Sequence, residues 1–408
     1  MAYDDMVSEP RFMRTILLCV LSVSSWQASA ADEATALASE SESLQLTQKA
    51  APQLNRTESS HYVLLSDAPL DDAQAVTTLL EVTYKAFISN CEILGLVPEP
   101  LRHKLVAVLF RDKADYAAFA KANDGMTQTW TAGYYSPRVD RLVMFDAMSN
   151  EDVKKAMDQL EANKKSIARQ AKAAGANVLD GHGAGGKAAQ ITRQIENKKD
   201  QISSEAEDRF CGTVTHEAAH QLFFHTKVQS RGVMYPLWLA EGLATNFEAA
   251  DTGDTNLGFL SDNLKRRQAM QEAAQADRLI PLRVLVSKDQ HASSGAPQSE
   301  DLKNFYGQSC IFTNWLARNR APEFRLYLEA LKNGAYALPS KREEAFVALF
   351  GPVESLERVW LRAEARKWKG LAETPWGERL ADFENAKPPT PEPDASAPPP
   401  PPPPPTQP

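Results

Sequence analysis

Three residues in the middle of the chain have the types and the spacing of a hydrolytic metal site. His216 and His220 are four positions apart, and Glu217 directly follows the first histidine in the sequence His-Glu-Ala-Ala-His. On an α-helix this spacing places the two imidazoles about one turn apart, roughly 5.4 Å, so both can reach one tetrahedral Zn²⁺. The Glu217 carboxylate would then face the open position of the ion and take a proton from a water molecule whose pKa zinc lowers to about 7. The pattern predicts a helix that supports zinc-dependent hydrolysis.

A catalytic zinc site of this kind needs a third protein ligand, and Glu241 is the candidate. It lies in the apolar stretch Leu-Trp-Leu-Ala-Glu-Gly-Leu-Ala, which follows Pro236, a residue suited to the first turn of a helix. A carboxylate in such a stretch is costly to bury unless it is paired or binds a metal ion. We therefore predict that His216, His220 and Glu241 hold the metal ion and that Glu217 is the catalytic base.

Two other residues compete for the third ligand position. His225 would serve the extended motif H-E-x-x-H-x-x-G-x-x-H, but Phe223 and Thr226 stand where that motif needs glycine and histidine. Glu248 lies two helical turns beyond Glu241 on a similar face, and it could be a ligand if the helix were shifted. A position next to a ligand, or one facing solvent, is the preferred prediction for Glu248.

The motif His-Glu-Ala-Ala-His followed by Trp-Leu-Ala-Glu-Gly-Leu-Ala resembles the gluzincin peptidases, in which two histidines and a glutamate on the next helix hold the metal ion. Within that group it is most similar to the peptidase MA-like family of domain of unknown function 1570, over residues 61 to about 367. The segments LVAVLFRDKADYAAFA and AGYYSPRVDRLVMFD look like the family's sheet, whose edge strand would line a substrate cleft.

Zinc is the expected cofactor and a peptide or protein the expected substrate, and the resemblance implies that Glu217 is the general base. It also implies that a downstream tyrosine or histidine stabilises the negative charge that develops on the substrate oxygen. Tyr306, in the sequence Asn-Phe-Tyr-Gly-Gln-Ser, is the candidate for this catalytic role. The alternative for Tyr306 is an aromatic residue that packs in the core of a helix.

The elements that must position these residues predict an α+β fold. A small mixed β-sheet subdomain comes first, a mostly α-helical, zincin-like half follows, and the metal-binding helix lies between them. Residues 59–150 form the α/β part, in which β-favouring runs alternate with helical spacing of apolar residues. Residues 209–370 form the helical metal-site half. Strands are predicted at 62–65, 104–110, 133–135 and 141–145, and helices at 71–94 and 113–122.

Residues 151–208 predict a charged helical hairpin inserted before the metal helix. Apolar residues recur at helical spacing in two arms, and the glycine-rich stretch 175–186 would let the arms fold back on each other. A lid or a partner-binding arm is one interpretation of this insertion. A solvated spacer is the other, and it is preferred because charge patterning alone seldom identifies a partner.

Both ends of the chain are predicted to lie outside the folded domain. In residues 1–30, Arg11 and Arg14 precede an apolar run and then small residues suited to signal peptidase, so the segment predicts an export signal. The composition of residues 31–58 predicts a flexible linker or a frayed helix, and that of 371–408 predicts a proline-rich disordered tail. No further segment approaches the length of a membrane span, so we expect a periplasmic or secreted product without a stable membrane span after signal cleavage.

The overall charge and the cysteines restrict the possible partners and crosslinks. The formal net charge of -8 gives no net basic field, and no nucleic-acid partner is expected. Export would leave Cys91, Cys211 and Cys310, which allow at most one intramolecular disulfide. Three buried thiols that pack as small hydrophobic residues are the alternative.

Together these observations predict an exported zinc metallopeptidase that hydrolyses peptide bonds with a metal-activated water molecule. The alternative is a catalytically inactive protein of the same fold that binds or scaffolds in the cell envelope. The intact Glu217 favours the enzyme, because a degenerate site is expected to lose its catalytic base first. Hydrolysis of a non-peptide amide is a third hypothesis.

Overall fold

The computed structural model describes residues 37, 40–126, 132–173, 183–248, 257–259, 261–287, 300–334 and 339–368. The predicted signal peptide and proline-rich tail lie outside these residues, and so does most of the glycine-rich tip of the hairpin. Within the described ranges, no helix combines the length and the apolar character that crossing a membrane requires.

A mixed five-stranded sheet forms the first part of the fold. Its central strands β2, β3 and β5 are parallel, and the edge strands β1 and β4 pair antiparallel with β2 and β5. The central strands are buried on both faces, as expected of parallel strands covered by helices. The strands, in the spatial order β1-β2-β3-β5-β4, are β1 Asn55–Glu58, β2 Tyr62–Ser66, β3 Leu105–Phe110, β5 Arg141–Phe145 and β4 Gly133–Ser136.

Of the two predictions for residues 31–58, a flexible linker was wrong for the last part, which forms helix α1 (Glu42–Ala50) and strand β1, and the helical alternative agrees with α1. The Ser41 side chain accepts a hydrogen bond from the Leu44 N–H and so caps α1. Leu44 is completely buried. Because so few apolar residues of this segment enter the core, its sequence shows no sustained apolar face.

The two faces of the sheet contact different hydrophobic cores. The smaller core contains Leu44 of α1, Val106 and Phe145 of the sheet, and Tyr116 of α3. The larger core contains the alternate strand residues and extends into the helical half. The helices that flank the sheet are α2 Leu70–Ile93 and α3 Lys113–Phe119, and a π-helical turn at Ala120–Asp124 continues α3.

Two long helices follow the sheet, α4 (Glu151–Ala173) and α5 (Gly183–His225). They run antiparallel where they pack together, and the ion pairs Lys164–Glu196 and Lys199–Glu161 join them. Helix α5 has 43 residues and contains both the second arm of the hairpin and the His-Glu-Ala-Ala-His motif. The predicted domain boundary after residue 208 therefore falls inside one continuous helix.

The remainder of the described chain is helical, so the predicted α+β fold class is confirmed. The helix at Glu300–Asn319 is buried over most of its length and packs against the helices at Leu237–Thr245 and Leu264–Gln275. Aromatic side chains such as Trp238, Phe312 and Trp360 fill the space between these helices. The helices are α6 Leu237–Thr245, α7 Leu264–Gln275, α8 Leu282–Ser287, α9 Glu300–Asn319, α10 Ala321–Lys332, α11 Pro339–Phe350 and α12 Val353–Ala365.

Candidate metal centre

Helices α5 and α6 bring His216, His220 and Glu241 together into a group that could hold a metal ion. The two histidine Nε2 atoms lie 3.2 Å apart. The Glu241 Oε2 atom lies 3.3 Å from the Nε2 of His216 and 3.9 Å from that of His220. Three atoms that carry electron pairs therefore converge on one point between the two helices.

The chemistry and spacing of these three atoms fit a zinc ion. Imidazole nitrogen and carboxylate oxygen are typical zinc ligands, at about 2.0–2.2 Å from the ion. Ligand atoms at that distance from a tetrahedral centre lie roughly 3.3–3.5 Å from one another. The measured separations of 3.2, 3.3 and 3.9 Å are close to that value. Three protein ligands leave one coordination position open, as in catalytic rather than structural sites.

Glu248 fixes the orientation of the first histidine. Its Oε1 atom lies 3.1 Å from the Nδ1 of His216, so with a metal ion bound the Nδ1–H would donate to the carboxylate and Nε2 would give its electron pair to the ion. The structure thus places Glu248 next to a ligand, the preferred of the two roles considered for it. Glu248 in turn accepts hydrogen bonds from the Nε and Nη2 atoms of Arg266, at 2.8 and 2.6 Å.

The charges at this centre favour a bound cation. Burial disfavours a charged imidazole at His216, but the hydrogen bonds that its ring donates to Glu241 and Glu248 outweigh burial and raise the pKa of His216 to about 10. Burial also acts to raise the pKa of Glu241, yet its two histidine partners hold that pKa well below the ordinary value. In the absence of a metal ion a proton therefore supplies the positive charge, and metal binding must displace it.

Glu217 lies beside the ligand group and is held by the edge strand of the sheet. The backbone N–H of Tyr135 in β4 donates a hydrogen bond of 2.8 Å to the Oε2 atom of Glu217. Burial raises the pKa of the Glu217 carboxyl, while the neighbouring histidines act in the opposite direction. A carboxylate made more basic by burial is suited to accepting a proton from water.

Close packing of the backbone sets the distance between α6 and α9. A Cβ atom at Gly242, the residue after Glu241, would lie 2.5 Å from the carbonyl oxygen of Ser309 and 2.6 Å from a methyl carbon of Thr313. Only glycine therefore permits this approach of the two helices. On α5, Ala218 and Ala219 are completely buried, so small residues of the motif face the core while the histidines face α6.

Tyr306 of α9 lies at the same centre. Its ring centroid is 6.5 Å from that of His216, and the rings meet edge to face. Burial and the negative charges of Glu241 and Glu217 raise the pKa of the Tyr306 phenol, which stays protonated at neutral pH. The ring also packs against the larger core, so the two roles predicted for Tyr306 are compatible.

The structure places the remaining candidates away from the ligand group. His225 lies at the end of α5, where its Nε2 atom is 2.6 Å from the Oδ2 of Asp140. Cys91, Cys211 and Cys310 are buried thiols that form no disulfide within the described residues, which agrees with the prediction of buried thiols. Burial raises the pKa of Cys91 and of Cys310 to about 12, so neither is a reactive thiolate.

Two residues that contact the centre were not identified from the sequence, Tyr135 and Arg266. Tyr135 contributes only a backbone N–H, which no side-chain motif reveals. Arg266 comes from a polar helix, α7, far along the chain from the metal helix. The sequence did predict that an edge strand of the sheet lines the substrate cleft, and Tyr135 lies in the edge strand β4.

A known protein family matches the segment of the chain that contains the helices of this centre. A family profile described as "Protein of unknown function (DUF1570)" matches residues 210–334. The matched range contains all three candidate ligands as well as Glu217, Glu248 and Tyr306. No curated protein matches the sequence.

Proposed function

We propose that this protein is an exported zinc-dependent metallopeptidase that hydrolyses peptide bonds. The observation that carries the proposal is the convergence of His216, His220 and Glu241 with Glu217 directly beside them. A largely buried group of two histidines and a glutamate next to a second glutamate matches the needs of metal-assisted hydrolysis. Export is inferred from the signal-like sequence of residues 1–30.

Each residue of the centre has a separate role in the proposed hydrolysis. A zinc ion held by the three ligands would polarise the substrate carbonyl and activate a water molecule. Glu217 takes the proton of the attacking water and delivers it to the leaving amine, while the Tyr135 N–H keeps one carboxylate oxygen in place. Tyr306, still protonated, donates a hydrogen bond to the substrate oxygen as negative charge develops on it.

Digestion of an unbiased peptide library by the wild type and by Glu217→Gln tests this proposal. Glutamine is nearly isosteric but cannot accept the proton, so we expect Glu217→Gln to keep zinc and to lose about 10²–10⁴-fold in rate. Zinc content measured in both proteins is the control for an intact centre. Equal cleavage by the two proteins, or no cleavage by a wild type that holds zinc, would contradict peptidase activity and would favour a binding or scaffolding role.

A further inference from the structure

Arg266 of α7 contacts two parts of the metal centre at once. Its guanidinium makes two hydrogen bonds to Glu248, at 2.8 and 2.6 Å, and Glu248 contacts His216. The same guanidinium carbon lies 5.1 Å from the ring centroid of Tyr306. One planar group therefore links the carboxylate that orients a candidate ligand to the ring of Tyr306, which also packs on His216.

The chemistry of these contacts requires arginine. Two parallel N–H donors match the two oxygens of a carboxylate, and a planar cation can lie over an aromatic ring at the same time. A lysine ammonium carries the same charge but offers neither the fork nor the flat face. The side chains of Arg266 and Glu248 are 25% and 16% exposed, so solvent compensates little for the loss of either partner.

Backbone packing holds α7 against α9 at the position of Arg266. A Cβ atom at Gly307, the residue after Tyr306, would lie 2.8 Å from the carbonyl oxygen of Arg266 and 3.2 Å from the amide nitrogen of Met270. The Arg266 backbone and the Tyr306 backbone are therefore held at close range whatever their side chains do. The guanidinium of Arg266 therefore contacts Glu248 and Tyr306 from a backbone whose position is held by helix packing.

We propose that Arg266 is a positioning residue that couples Glu248 to Tyr306. It holds Glu248 against His216, which orients this ligand for the metal ion, and it holds the Tyr306 ring at the edge of the substrate position. This role rests on the proposed zinc site, but zinc binding alone can test it, without any substrate. The expected signature is weaker and altered metal binding when the planar fork is lost while the charge is kept.

Arg266→Lys and Arg267→Lys form a matched pair for this test. The neighbouring Arg267 pairs with Glu364 and Asp262, away from the metal residues. Zinc affinity is measured by chelator competition, and the geometry of the centre is followed by the absorption spectrum of the Co²⁺-substituted protein. We expect Arg266→Lys to weaken zinc binding about 10–100-fold and to shift the Co²⁺ spectrum, as is typical for partners of metal ligands. Arg267→Lys should change neither.

A second variant tests the coupling to Tyr306. If Arg266 positions this ring, the losses of kcat in Arg266→Lys and Tyr306→Phe should be smaller together than the product of the two separate losses. Tyr306→Phe alone should leave zinc affinity unchanged. Wild-type zinc affinity and an unaltered Co²⁺ spectrum in folded Arg266→Lys would overturn the positioning role. Failure of the wild type itself to bind zinc would instead overturn the proposed function, and this role with it.

Discussion

Asp140 is the residue that ties the end of the metal helix to the edge strand of the sheet. Its carboxylate lies 2.6 Å from the Nε2 of His225 and 2.6 Å from a guanidinium nitrogen of Arg231, and it accepts a hydrogen bond of 2.8 Å from the Tyr135 hydroxyl. The backbone of Tyr135 in turn holds Glu217. Burial acts to raise the pKa of Asp140, but His225 and Arg231 outweigh burial and lower it to about 2.

We predict that Asp140→Asn makes the stability of the protein less dependent on pH in the acid range. A carboxyl whose pKa is about 2 in the folded state and near 3.8 otherwise stabilises the fold above about pH 4, and the effect is lost as pH falls toward 2. The variant should lose roughly 2 kcal/mol of unfolding free energy at pH 7, and the difference from wild type should shrink below pH 4. Asparagine also tolerates the left-handed backbone at this position, where φ is 66°.

Urea unfolding between pH 7 and pH 3 measures this effect. Asp277→Asn is the control, because Asp277 is exposed and has a similar left-handed backbone with φ of 55°. It should change the unfolding free energy by less than about 0.5 kcal/mol. A difference between Asp140→Asn and wild type that stays constant from pH 7 to pH 3 would show that the carboxylate charge is not responsible.

At the scale of elements, the centre depends on the close approach of α6 and α9. Helix α6 carries Glu241 and α9 carries Tyr306, and Gly242 lets their backbones come together. Thr313 of α9 reinforces this contact, since its hydroxyl lies 2.9 Å from the carbonyl oxygen of Gly242. A change in the spacing of these two helices should therefore move a metal ligand.

We predict that Gly242→Ala weakens both the fold and the metal site. The added methyl group would overlap the Ser309 carbonyl oxygen and the Thr313 side chain, and overpacking of this kind costs about 1–3 kcal/mol. Gly212→Ala in α5 is the matched control, because its Cβ would find only the Glu248 Cβ, at 3.9 Å. Alanine should stabilise that helix by about 0.5–1 kcal/mol. Thermal melting and zinc titration of both variants measure the two effects. A Gly242→Ala protein with wild-type zinc affinity would contradict the predicted link between helix spacing and the metal site.

The parts of this centre that the sequence predicts are those with local spacing. His216 and His220 share a helix face by their separation alone, and Glu241 is conspicuous because it interrupts an apolar helix. The contacts of Glu248 and Arg266 depend on how helices pack across long stretches of chain, and no local pattern specifies that packing. The three-ligand group and the place of Glu248 next to it were therefore accessible from the sequence, whereas Arg266, which holds Glu248, was not.

The difference between local patterns and long-range packing also explains where the predicted fold and the structure disagree. The strands β2, β3 and β5 are continuous runs of β-favouring apolar residues, so their positions follow from the sequence. Helix α1 enters the core mainly through Leu44, and such a sparse contact leaves little periodicity. The length of α5 was missed because composition changes near residue 208, although no proline interrupts the helix there.

For the molecule as a whole, the long helix α5 joins an external hairpin to the metal centre. Its N-terminal part packs on α4 through a narrow seam that includes Ala171 and Ile195. From Ala206 onward its buried side chains belong to the larger hydrophobic core, which also contains the residues that surround the metal ligands. The hairpin is therefore connected to the centre through one continuous helix, and the sheet, α5, α6 and α9 jointly form the site.

Zinc binding to the wild type, to His220→Ala and to His225→Ala tests the central claim most directly. Both histidines lie on α5, but only His220 belongs to the ligand group, while His225 pairs with Asp140. We predict one tightly bound zinc ion per chain in the wild type and in His225→Ala, and its loss in His220→Ala, measured by metal analysis after dialysis. A wild type that binds no zinc, or a His220→Ala protein that binds it as tightly as the wild type, would contradict the account.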